Sequence, residues 1–245
     1  MAPTKHAATE KPSSKCAHTD SDHFKSTDAD MKYNDCYKGA TIIMERVVHL
    51  ESLEGIFILE VFKERKWTIL LNLVEVVYSE IIREFFSNVA VDGDRIECWV
   101  RHKEFVITRE IIQDFLEARP PSQPIEVQYE DRLGSTDETI RTLGGTPKKS
   151  SMNTIPFSPE MRSLAYVMIH NFYSITNLTT LSAPRTRFLY YLFTHKEIDI
   201  YGHIFHVLKK SIKKQNSRTV VPFPSLIMGL IAKTRFKFPS GLKVV

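Results

Sequence analysis

Residues 70–86 read LLNLVEVVYSEIIREFF, and this stretch sets the expected fold class. Leu70, Val74, Val77, Tyr78, Ile81, Ile82 and Phe85 recur at intervals of three and four, which lays one apolar stripe along a helix. The spacing predicts a long amphipathic helix. Asn88 and the turn Asp92-Gly93-Asp94 end it. Ile96, Cys98 and Val100 then alternate with Glu97, Trp99 and Arg101, the period of a half-buried strand, and Phe105-Val106-Ile107 is its expected hairpin partner. The Thr108 hydroxyl can cap a helix carrying Ile111, Ile112, Phe115 and Leu116, which Pro120-Pro121 stops. Upstream, Val47, Val48, Leu50, Ile56, Phe57, Leu59 and Val61 keep helical spacing with a break at Gly55.

Ser158-Pro159-Glu160 is a helix start with a chemical reason. The serine oxygen caps free amides, proline fits the first turn, and the glutamate complements the dipole. This helix is expected to reach about Tyr173. Pro184 opens another through Phe188, Tyr191 and Leu192, and Ile200, Ile204, Leu208 and Ile212 mark a third. Lys209, Lys210, Lys213 and Lys214 occupy its last turns, and Pro222-Phe223-Pro224 begins a final helix through Leu226, Ile227, Leu230 and Ile231. The expected fold class is therefore mainly α: a helical domain with one small β-hairpin and a disordered N-terminal tail.

The expected organisation has five parts. Residues 1–40 mix Lys, Ser, Thr, Asp and His with few large apolar groups and form a disordered polar tail. Residues 41–118 are an N-terminal helical part containing the hairpin. Residues 119–157 carry five prolines with Gly134, Gly144 and Gly145, and are a linker between lobes or, the reading preferred, a tolerated insertion. Residues 158–238 are a basic helical part, and 239–245 a short tail.

The chain has 245 residues, 42% hydrophobic and 25% charged, close to an average soluble protein. Its three cysteines, Cys16, Cys36 and Cys98, fit neither a disulfide framework nor a CxxC metal ribbon, so a reducing, intracellular compartment, nuclear or cytoplasmic, is expected. No apolar run approaches the roughly 20 residues that span a bilayer, and no membrane association is expected. The formal charge of +4 hides an asymmetry. Through Pro159 there are 20 Lys+Arg against 26 Asp+Glu, net −6; beyond it 13 against 3, net +10. A field of that sign attracts nucleic acid, an anionic surface, or the acidic half of the same chain.

Catalytic motifs are absent: no GxxxxGK[ST], HExxH or GxSxG, and no Asp-Thr-Gly or Asp-Ser-Gly. Asp92, Asp94 and Asp114 flank the expected hairpin, but turn and surface roles account for them without a two-metal centre. His195, His203 and His206 lie near one another in sequence without the further ligands zinc requires, and Cys16, His18, His23 and Cys36 are irregularly spaced. Trp67 and Trp99 read as packing residues. No catalytic residue, metal ligand or cofactor is assigned. The residues singled out are Lys209, Lys210, Lys213, Lys214 and Arg218, which together can neutralise several phosphates. Tyr190, Tyr191, Tyr201 and Phe205 are close enough in sequence to stack on bases, although helical spacing gives them core roles first.

From about Lys66 to Phe236 an ordered set of landmarks carries a family resemblance. These are Lys66-Trp67, Ile82-Arg83-Glu84-Phe85-Phe86-Ser87-Asn88, Trp99-Val100-Arg101-His102-Lys103, the Arg185–Phe193 segment, Glu197-Ile198-Asp199-Ile200 and Phe223-Pro224-Ser225-Leu226-Ile227. In this order they resemble the plant transposon protein domain family, repetitive elements of plant genomes also called retrotransposon or envelope-like proteins. Phe86 stands where that pattern has tyrosine, and Ile231-Ala232 where it has Leu-Cys. The resemblance implies a mobile-element origin and a mostly helical domain, and brings no catalytic residues. The expected function is thus a non-enzymatic binding or interaction domain whose partner is nucleic acid or an element-encoded protein. The alternatives are a nucleic-acid-binding module using the basic C-terminal helix, or a transposase or nuclease fragment lacking its catalytic domain.

Overall fold

The structure, a computed structural model, describes residues 23–53, 57–73, 76–117, 137–148, 151–177, 179–214 and 219–245. The described chain begins with α1 (Thr27–Lys32), continued by a π-helical turn at Tyr33–Tyr37, then β1 (Thr41–Ile42) and a 3-10 turn at Leu50–Leu53. Next come α2 (Phe57–Glu64), α3 (Thr68–Leu71), α4 (Ser79–Asn88), β2 (Ala90–Asp92), β3 (Arg95–Val100), β4 (Lys103–Ile107) and α5 (Arg109–Leu116). α6 (Asp137–Thr142), β5 (Thr146–Lys148) and β6 (Ser151–Asn153) follow, then α7 (Pro159–Val167), which runs into a π-helical turn at Met168–Phe172. The chain ends through β7 (Thr180–Ser182), α8 (Ala183–Phe193), α9 (Ile200–Lys213), β8 (Val220–Val221) and α10 (Pro224–Lys233).

Among the described residues 52% are helical and 15% are in strands, arranged as three small sheets. The fold is mixed α/β, which corrects the expectation of a mainly helical domain with one hairpin. β2, β3 and β4 form an antiparallel meander, β5, β6 and β7 a second one, and β1 pairs in parallel with β8 through Thr41↔Val220 and Ile42↔Val221. The missed strands are two or three residues long, too short to show a period of two, and β1 and β8 find partners at opposite ends of the sequence.

The long helix expected over 70–86 is also corrected. α3 stops at Leu71, and α4 starts at Ser79. Val76 and Val77 are β-branched and ill suited to a helix interior, and the C-terminal segment claims the backbone beside them. Tyr78 bridges antiparallel to Val244, and Val245 N donates to Val77 O at 2.9 Å. Of the tail expected over 1–40, residues 1–22 lie outside the described residues. Thr27–Tyr37 is helical, with Tyr37 fully buried against Phe86. Within 119–157, residues 119–136 and 149–150 lie outside the described residues, whereas α6 packs on α8 and β6 pairs with β7.

Elsewhere local chemistry acts as read. Thr108 Oγ1 accepts from Ile111 N (3.3 Å) and Ser158 Oγ from Met161 N (3.2 Å), while prolines fill the first turns of α7, α8 and α10. The turn between β3 and β4 carries no glycine, yet Arg101 (φ 44°) and His102 (φ 65°) both sit in the left-handed region, as a two-residue hairpin turn requires. Buried Glu84 offsets this cost, accepting from Arg101 N at 2.7 Å and Arg101 Nε at 2.8 Å.

Three buried polar side chains stitch distant segments together. Glu45 lies just after β1 and accepts from Ser225 N (3.0 Å) and Leu226 N (3.1 Å), capping α10 from across the fold. Burial pushes its carboxyl above the usual range, and these amides pull it back. Asn171 Oδ1 accepts from Arg46 N (3.1 Å), and its Nδ2 donates to Arg46 O (2.8 Å) and Leu70 O (3.2 Å). His203 Nε2 bonds Phe172 O at 2.9 Å inside a nest of Tyr173 and Phe188 rings. The apolar core runs between the same segments, where Phe62, Trp67 and Phe172 meet with centroids 5.7 to 6.3 Å apart.

Two outcomes are expected in urea unfolding. Glu45→Ala strips an anionic acceptor from two buried amides and lowers stability by about 3 kcal/mol, with Glu45→Gln losing less. Burial holds the His203 imidazole down to about 3, so the folded state keeps it neutral. Its stabilising effect is complete above the ordinary value of 6.5 and is lost as pH falls towards 3. Between pH 6.5 and 4.5 the wild type should lose about 2–3 kcal/mol more than His203→Gln. Glu45 and Glu84, both raised, gain over that interval in either protein and cancel in the difference.

Candidate nucleic-acid interface

α9 is the element that positions the predicted cations. Its 14 residues bury Ile200, Tyr201, Ile204, Phe205, Leu208 and Ile212 on one side, so lysines placed between them fall on the other. The start of the helix is held firmly. Asp199, almost wholly buried, accepts from Gly202 N at 2.9 Å and is ion-paired with Arg109 at the head of α5, whose guanidinium lies 4.9 Å from the Tyr201 ring centroid. A helix fixed at its N-terminus presents its C-terminal lysines in a defined direction.

The structure divides the five predicted residues into three groups. Lys209 is a strut: its ammonium donates to Gly93 O at 2.8 Å, lies 3.7 Å from Asp94 Oδ1, and sits 5.2 Å from the Phe205 centroid. Part of the basic field is therefore spent on the acidic turn between β2 and β3. Lys210, Lys213 and Lys214 are exposed and lie three and four residues apart, hence on one face. Lys214 N closes the helix on Lys210 O at 3.1 Å. Arg218 lies outside the described residues.

Tyr201 and Phe205 are buried, while Tyr190 and Tyr191 are half-buried beneath Lys196, whose ammonium is 4.8 and 5.3 Å from their centroids. None of these rings lies free beside the α9 lysines. The histidines go to separate places, His203 into the core and His195 to an exposed contact with Glu64 at 3.1 Å. Asp92 pairs with Arg95 and Asp94 with Lys209. Among the described residues, no group of three His, Cys, Asp or Glu is placed to hold a metal ion; Cys16 and His18 lie outside them. No described helix is long and apolar enough to cross a membrane.

Reading the lysines of α9 as one cluster misses a second set of cations around Lys233–Lys237. A signal for it exists in the sequence: Ile200 to Val245 holds nine Lys and Arg and no Asp or Glu.

Comparison with known proteins places the chain by family. The model of a family described as a putative plant retrotransposon-related domain matches residues 63–236, most of the chain. No curated protein and no solved structure matches it.

Proposed function

The chain belongs to the plant retrotransposon-related domain family and is a transposable-element-derived protein, and on that premise we propose that it is a non-enzymatic module that binds nucleic acid through the end of α9. The observation that carries this reading is the triad of exposed lysines, Lys210, Lys213 and Lys214, on one face of a helix whose other face is core. Cations at a helix C-terminus are favoured by the dipole alone. Two features add to that. From Ile200 onward the sequence holds no Asp or Glu, so the surrounding segment contributes positive charge alone. Lys209 meanwhile pairs with Asp94 in the turn between β2 and β3, which seats this end of the helix against the sheet. Ammonium groups three and four residues apart suit neighbouring backbone phosphates and carry no base-reading geometry. The expected binding is electrostatic and indifferent to sequence.

Fluorescence anisotropy of the full chain with a labelled duplex tests this. Affinity should fall steeply as salt rises, and Lys210→Gln/Lys213→Gln/Lys214→Gln should reduce the slope of log affinity against log salt by roughly 2–3. An unchanged slope in that variant, or no binding at low salt, contradicts the reading.

A further inference from the structure

A second basic surface lies at the other end of the β2–β3–β4 sheet. Lys209 touches the turn that precedes β3, whereas Lys103 follows the turn that ends it, about 17 Å away along a six-residue strand. Around Lys103 four elements converge. α10 ends at Lys233, and the chain turns through Arg235, which has φ 57°, into Phe236, Lys237 and Phe238. Phe115 comes from α5 and Tyr78 from the segment before α4. The tail beyond is pinned, because Ser79 N donates to Lys243 O at 3.4 Å and Val245 N to Val77 O at 2.9 Å.

Within this strip cations and rings alternate in space as well as in sequence. The Lys103 ammonium lies 5.7 Å from the Phe236 centroid, and the Lys233 ammonium 4.9 Å from that of Phe115. Phe236 and Phe238 are 5.0 Å apart, and Phe238 and Tyr78 5.3 Å. All four rings are part-exposed, while Lys103, Lys233, Arg235 and Lys237 are exposed. Among the described residues none of these four cations is ion-paired. Glu104, beside Lys103, is taken by Lys25 at 2.6 Å, and Asp114 offers Lys233 only its backbone carbonyl, at 3.5 Å.

We infer that this strip is a binding site for single-stranded nucleic acid, distinct from the α9 lysines. Ring faces next to unpaired cations serve a strand whose bases are unstacked, since each nucleotide brings one phosphate and one π-face. A duplex hides its base faces and gains only from the charges. Phe236, Phe238 and Tyr78 are packed edge-on or tilted against one another, Phe115 lies under Lys233, and all four rings are half sunk in the protein. That arrangement suits stacking and resists the deep insertion a bilayer surface demands.

The test uses the full chain and three probes: a labelled 20-mer of deoxythymidine, a duplex of equal length, and vesicles of phosphatidylcholine with phosphatidylserine. The wild type should bind the single strand more tightly than the duplex at matched salt. Phe236→Leu keeps apolar bulk but loses the aromatic face, and should weaken single-strand binding about tenfold while leaving the salt slope and duplex binding unchanged. Lys103→Gln/Arg235→Gln/Lys237→Gln, all at exposed positions, should lower the single-strand salt slope by about 2. The α9 triple variant should retain the preference for the single strand. If both strip variants bind the 20-mer like wild type while the α9 variant loses duplex binding, this inference falls and the α9 reading stands. Vesicle binding that depends on the strip, without a single-strand preference, overturns it in favour of a membrane-facing surface.

Discussion

The carboxylate of Glu45 seated on the amides of Ser225 and Leu226 is the contact on which the arrangement depends. A helix N-terminus exposes unsatisfied amides, and the residue at the cap of α10, Phe223, has a left-handed backbone and no side-chain oxygen to offer. An anion delivered from far away in sequence fills that need. Because Glu45 lies three residues beyond the end of β1, the same contact supports the parallel pairing of β1 with β8. One residue on, Asn171 grips the backbone of Arg46 and ties it to Leu70. The axis of α10 is fixed in turn, and with it the place where the basic tail leaves the core beside Lys103.

The sequence is legible wherever a signal is local. The caps at Thr108 and Ser158, the prolines at the starts of α8 and α10, and the five- and six-residue strands of the β3–β4 hairpin all carry their cause within a few residues. What it hides is pairing at a distance. Thr41-Ile42 and Val220-Val221 are too short to declare themselves, and residues 76–78 continue a helical rhythm while their backbone is claimed by Val244 and Val245. The Arg101-His102 turn has no glycine or asparagine to announce it, since its cause is the carboxylate of Glu84 on another element.

The candidate site divides in the same way. The exposed face of α9 could be read from the spacing of its apolar residues. The diversion of Lys209 to Gly93 and Asp94 could not, because it follows from how the β2–β3 turn meets the helix. The charge asymmetry between the halves of the chain is therefore partly internal, since Lys209 of the basic half is paired with Asp94 of the acidic half. Exposed cations, Lys210, Lys213 and Lys214 at one end of the sheet and Lys103, Lys233, Arg235 and Lys237 at the other, are the part of the field that reaches outward. Both groups sit on elements anchored by buried polar contacts, so their geometry is set before any ligand arrives.

The most direct measurement is photo-cross-linking of the full chain to a 4-thiothymidine oligonucleotide at low salt, followed by mass spectrometry of the peptides. The account predicts adducts in the peptides carrying Lys210–Lys214 and Lys233–Phe238. Adducts confined to peptides outside these two stretches, or none at low salt, would contradict it.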